Sequence, residues 1–160
     1  MTAYESETSP RRPAVDGARL WTGGAATALV AALLTVVGIL LARGLFGVPV
    51  LAPKGAGTWG DASTGWYALG AAVASLAATG FVHALLLFTP RPMLFFGWVI
   101  ALATATAVLA PFTTDQSTAP KVATAVLNLM LGIAIGSLVA GSARSAVQTA
   151  ARRAAPDRYR

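Results

Sequence analysis

Four stretches of the chain, 20–42, 66–88, 93–112 and 122–143, contain no Asp, Glu, Lys or Arg. At about 1.5 Å per residue each is long enough to cross the roughly 30 Å of a bilayer's hydrocarbon core. With no charge to centre in hydrocarbon, all four can insert without special partners. The pattern therefore predicts an all-α fold, a four-helix transmembrane bundle forming one membrane domain over 20–144.

The segments between the runs refine this picture. Residues 1–19 are polar and interrupted by Pro10 and Pro13, a composition that cannot bury a core, so they are expected to be a disordered tail. The apolar run after Arg11-Arg12 exceeds a signal peptide's apolar core, so the first span is expected to be retained. Thr89-Pro90-Arg91-Pro92 is a tight turn, with prolines that end one helix and start the next, and it makes spans two and three an antiparallel hairpin. Residues 113–121 form a short polar loop with Pro120 placed for the first turn of the fourth helix. The connection over 44–65 is longer and rich in Gly and Pro, and its alternating start suggests a short hairpin or interfacial segment. Residues 145–160 form a basic tail.

Charge adds topology. Arg11, Arg12, Arg19, Arg91, Arg144, Arg152, Arg153, Arg158 and Arg160 fall on one side of the four spans, whereas Arg43, Lys54 and Lys121 fall on the other. Basic residues translocate poorly, so nine against three places both termini in the cytoplasm and the 44–65 loop outside. The net charge of +6 is thus assigned to topology and to contact with membrane lipids, and no nucleic-acid partner is expected. Trp59, Trp66 and Tyr67 near one surface, and Trp21, Phe95, Phe96 and Trp98 near the other, form an aromatic belt.

Only 11% of the 160 residues are charged, against about 25% in a soluble domain, and little in them can do chemistry. The absence of cysteine excludes disulfides, thiolate metal sites and thiol–disulfide enzymes, and the single histidine, His83, cannot by itself build a haem or zinc site. Neither a phosphate-binding loop nor a metal cluster is visible, and the membrane serines and threonines, including Thr27, Thr35, Thr104, Thr106 and Ser137, are expected to bond back to their own helices. Asp61 and Asp115, in the two loops of the same side, are expected to be solvated turn residues. No enzymatic activity, catalytic residue, metal or cofactor is expected.

What stands out instead is spacing. Thr124, Asn128, Gly132, Gly136 and Ala140 recur every four residues and share one face of the fourth helix, a surface suited to close packing within the bundle or against a partner. A second, weaker polar stripe comprises Ser75, Thr79 and His83 on the second helix. His83 and Asn128 lie about 8 and 9 Å inside opposite surfaces, too far apart in depth to pair.

The outer Gly47-Val48-Pro49-Val50 segment, Ala74-Ser75-Leu76-Ala77, Trp98 leading into Ala101-Leu102, Ala110-Pro111-Phe112, Lys121 and Val139-Ala140-Gly141 together resemble small actinobacterial four-span membrane proteins grouped as a domain of unknown function. The resemblance covers residues 20–145 and implies the four-span fold and a bacterial group but no reaction. It also implies a histidine in many members where this chain has Asn128. The expectation that follows is a non-catalytic accessory subunit of a larger envelope membrane complex, a multi-subunit lipid importer of the Mce or ABC type among the hosts, bound to other integral membrane subunits through helix packing. The alternative is an autonomous homo-oligomeric channel or small transporter lined by the two polar stripes.

Overall fold

The computed structural model describes residues 16–55 and 58–154. Its elements are helix α1 (Gly17–Gly44), strands β1 (Leu51–Gly55) and β2 (Thr58–Asp61), helix α2 (Thr64–Phe88), helix α3 (Pro92–Leu109) continued by a 3-10 turn (Ala110–Thr113), and helix α4 (Thr118–Ala154). Four helices among the described residues are long and apolar enough to cross a membrane. Residues 1–15 and 155–160, where most of the expected tails fall, lie outside the described residues.

The helices overrun the apolar segments, for local reasons. Asp16 caps α1 by accepting a hydrogen bond from the Arg19 N–H at 3.2 Å, so the helix starts three residues ahead of the apolar run, inside the segment expected to be a tail. At the other end of the chain α4 is helical as far as Ala154, with Ala146 and Ala150 buried, so the basic segment expected from residue 145 is largely ordered helix. Its 37 residues span about 55 Å, well beyond the hydrocarbon core. Arg153 closes the terminal end of the bundle on Asp16 at 2.8 Å, which shows that the start of α1 and the end of α4 meet.

The long connection carries a short hairpin, one of the two forms its alternating start suggests, on an otherwise helical fold. Gly47 adopts a positive φ of 63°, a conformation that favours glycine, and turns the chain back so that Val48 N–H bonds the Ala42 carbonyl at 2.8 Å. β1 and β2 then pair antiparallel, Leu51 opposite Asp61 and Pro53 opposite Trp59. The hairpin folds down on the bundle: Val50, Leu51 and Ala62 are all essentially buried. At the opposite end Thr89, Pro90 and Arg91 connect α2 to α3, and Pro92 occupies the first turn of α3, where its missing N–H is harmless.

The bundle is built around α1, which packs along α2 on one side and α4 on the other. Apolar area does not drive association in lipid, because the tails are as apolar as the side chains, so close backbone approach decides which faces meet. Gly24 lies against Thr79 of α2, Gly23 against Ser142 of α4, and Gly38 against Leu127 of α4. α3 is peripheral. Only 6% of its most apolar window is buried, compared with 33% for α1 and for α4.

This packing makes a prediction. A Cβ placed on Gly24 would lie 2.5 Å from Thr79 Cγ2, whereas one on Gly44 meets nothing. Gly24→Leu is expected to destabilise the bundle by about 1–3 kcal/mol, the usual cost of overpacking, and Gly44→Ala to leave it unchanged. Thermal unfolding in detergent, followed by circular dichroism, compares the two.

Candidate functional site

At the hairpin end α2 and α3 diverge, and the residues that face each other across the gap are too small to fill it. Gly70, Ala71, Ala74 and Ala78 line it from α2, and Ala103, Ala107 and Ala110 from α3. The floor is α4, through Asn128, Leu131, Gly132 and Ile135, and the roof is the hairpin, through Leu51, Ala52 and Pro53. The result is a groove of about 840 Å³. Gly70, Ala74 and Ala103 are exposed, so the groove opens sideways between α2 and α3.

Its polarity is uneven. Asp61, Ser63, Tyr67 and Asn128 gather at the hairpin end, whereas Ala78, Ile100 and Ile135 close the deep end. Tyr67 was expected in the aromatic belt. It is instead half-buried, and its hydroxyl donates to Asn128 Oδ1 at 2.5 Å. The Asn128 amide nitrogen donates in turn to the Ala107 carbonyl at 2.7 Å. That carbonyl is available for a reason written in the chain: four residues on stands Pro111, which has no N–H to complete the helical bond. One asparagine thus closes two polar vacancies on two helices.

The roof is held by three further contacts. Thr124, fully buried, accepts from the Leu51 N–H at 2.8 Å while donating to the Pro120 carbonyl at 2.7 Å. Ala62 N–H bonds the Val50 carbonyl at 2.7 Å. Arg43 grips Asp61 at 2.6 Å and also donates to the Ala62 carbonyl. Asp61 is therefore engaged with α1, and the side chains of Lys54 and Trp59 lie outside the described ones.

The other residues singled out by spacing are distributed as follows. Gly132 lies against Thr104 and Gly136 against Ile100, so this part of the α4 face meets α3 of the same chain, and Ala140 is half-buried. Ser75 and Thr79 are wholly buried; Thr79 donates to the Ser75 carbonyl at 2.9 Å, and the Ser75 hydroxyl has no partner. His83 accepts the Trp21 indole N–H on Nδ1 at 3.1 Å, the two rings edge to face. The second-helix stripe thus belongs to the contact with α1. Thr27, Thr35, Thr106 and Ser137 bond back to carbonyls of their own helices. Phe96, also assigned to the belt, is core at 2% exposure, whereas Trp21, Trp66 and Trp98 are exposed. Among the described residues no three His, Asp or Glu side chains come together in a way that could hold a metal ion.

A family model matches the chain over residues 15–145, from the cap of α1 to the part of α4 that leaves the apolar run. The chain belongs to the DUF6069 family, a family of unknown function. No curated protein and no solved structure matches it. The match to DUF6069 takes in all four spans, the hairpin and every groove residue, so groove and bundle lie within the family's own domain.

Two features of this DUF6069 bundle escaped the reading of the sequence. The groove faces of α2 and α3 are runs of Ala and Gly at helical spacing, and that spacing is the signal that marks them. The second is Gly97, Ala101 and Ala105 on α3, four residues apart and exposed, with open space where a Gly97 Cβ would lie. They border a shallow furrow of about 450 Å³ between α3 and α4, lined also by Leu129, Ile133 and Ser137.

Asn128→Leu removes both partners at once and is expected to cost about 1–3 kcal/mol, whereas Asn128→His, which keeps one acceptor and one donor in its neutral form, is expected to retain most of the stability. Thermal melting of both variants measures this. Thr124→Val removes the acceptor of the Leu51 N–H, so hydrogen exchange over 50–52 is expected to quicken while exchange within α1 stays slow.

Proposed function

We propose that the protein is a non-catalytic accessory subunit of a larger membrane complex, and that it receives a transmembrane helix of its partner in the furrow between α3 and α4. The observation that carries this reading is the exposed Gly97–Ala101–Ala105 stripe beside that furrow. Stripes of this kind bring transmembrane helices together. Its counterparts at Gly23, Gly24 and Gly38 of α1 and at Gly132 and Gly136 of α4 are covered by other helices of the same chain, whereas the α3 stripe is left open to a partner. The poor burial of α3 supports the same reading, since a partner helix would enclose a span that its own bundle leaves at the edge.

The bias of basic residues supports an orientation with both termini in the cytoplasm and the hairpin outside, and the likeness to small four-span bacterial proteins supports a bacterial plasma membrane as the location. The groove between α2 and α3, apolar over its deep half and polar at its mouth, supports a lipid-handling host, such as an importer of the Mce or ABC type in an actinobacterial envelope, over a respiratory assembly. The homo-oligomeric channel has no comparable support, because Ser75, Thr79 and His83 serve the α1–α2 contact.

The tagged protein, extracted from its own membranes in mild detergent, is expected to carry integral membrane partners at fixed ratio. Ala101→Leu should abolish their retention without lowering expression, because residue 101 meets open furrow, whereas Gly132→Leu should lower expression itself by clashing with Thr104. A protein that runs alone, or an Ala101→Leu variant that keeps its partners, would overturn the proposal.

A further inference from the structure

The groove between α2 and α3 has the depth of one leaflet. From Tyr67 to Ala78 on α2, and from Ala110 to Ile100 on α3, it covers about 15–17 Å of helix, close to half of a hydrocarbon core of about 30 Å. A partner's membrane-spanning helix would run the full thickness, and a water-filled path would continue through it. This groove does neither. Beyond Ala78 and Ile135 the bundle is closed by the buried Val82, Phe96 and Val139.

The chemistry changes along the same axis. The deep half offers mainly Ala, Ile and Leu, with the Thr104 hydroxyl the polar group among them, a surface that takes a hydrocarbon chain. The mouth is polar and charged. Asp61 lines it, and Arg43, 2.6 Å from that carboxylate, sets a positive charge beside the negative one. Neither charge is buried, their side chains being 56% and 36% exposed. A headgroup that carries an ammonium and a phosphate next to one another complements this pair. A purely anionic headgroup would meet the Asp61 carboxylate.

We infer that the groove is a binding site for a zwitterionic amine-headgroup phospholipid of the hairpin-side leaflet, one acyl chain lying between α2 and α3 and the headgroup against Asp61 and Arg43. The chain enters sideways past Gly70, Ala74 and Ala103, whose missing bulk makes the opening. This site is separate from the α3–α4 furrow, and occupancy of either does not require the other.

The test uses the full chain in vesicles containing either a phosphatidylethanolamine or a phosphatidylglycerol whose acyl chain carries a photoactivatable diazirine, with cross-linked residues located by mass spectrometry. Leu33 and Val37, exposed on α1, report ordinary contact with bulk lipid. Labelling of Ala74 and Ala103 by the phosphatidylethanolamine probe is expected to exceed that baseline several-fold and to exceed labelling by the phosphatidylglycerol probe. Gly70→Phe, which fills the groove from a position where an added Cβ meets nothing, should reduce groove labelling to the baseline while leaving Leu33 and Val37 unchanged. Ala103→Phe provides the same test from the opposite wall. Asp61→Asn should erase the preference between the two probes.

Equal labelling of groove and α1 would overturn the site, as would groove labelling that persists in both filled variants. A preference for phosphatidylglycerol would overturn the headgroup assignment. Expression and melting of each variant show whether a loss reflects the groove or the fold.

Discussion

Gly24 of α1 lies so close to the Thr79 side chain of α2 that no β-carbon fits between them, and the arrangement of the other helices depends on that approach. In water, apolar faces would find each other through the solvent. In hydrocarbon they gain nothing by turning away from lipid, so the faces that allow the closest backbone contact prevail. α1 has such faces in two directions, with Gly23 and Gly38 against α4 and Gly24 against α2. It becomes the hub, and α3, which meets the bundle mainly through Gly132 and Gly136 of α4, is left at the edge.

The same environment penalises idle polar groups, and although the Ser75 hydroxyl is left without a partner, that cost explains where Asn128 and Thr124 sit. Pro111 ends the helical run of α3 and leaves the Ala107 carbonyl without its usual donor. Asn128 supplies one, and its other end takes the Tyr67 hydroxyl, so α2, α3 and α4 are tied together at the level where α2 and α3 part. Thr124 does the corresponding work for the hairpin, with its single hydroxyl used in both directions. These bonds decide the shape of the mouth of the groove. Remove them and the roof loses its fixed height above α4.

Small residues therefore have opposite consequences within one molecule. Where backbones approach, as at Gly24 and Gly132, missing side chains make the contact. Where backbones diverge, as between Ala74 and Ala103, missing side chains make a space that lipid can enter. A bundle built only for stability would fill that space with Leu or Phe, residues that this chain turns outward in quantity, for instance Leu33, Phe95 and Leu102. Small residues on both walls over the depth of one leaflet, with charges confined to one end, set the groove apart from incidental looseness.

The sequence by itself determined the number of spans, their approximate limits, the tight α2–α3 turn and the long connection that carries the hairpin. These follow from one-dimensional properties: some twenty residues without charge, prolines at helix starts, glycine and proline between runs. The family's extent was also readable, because its landmarks are local. Three-dimensional packing alone decided the rest. Four helices all carry small residues at four-residue spacing, and nothing along the chain says which of those stripes meets which, since that depends on how each helix is rotated about its axis. So the α4 face was legible as a packing surface but not its partner, α3. The polar stripe at Ser75, Thr79 and His83 was legible but not its enclosure by α1. Asn128 was legible as the lone amide of the fourth span, whereas its task became visible only when folding set it beside a carbonyl that Pro111, seventeen positions away, had left open.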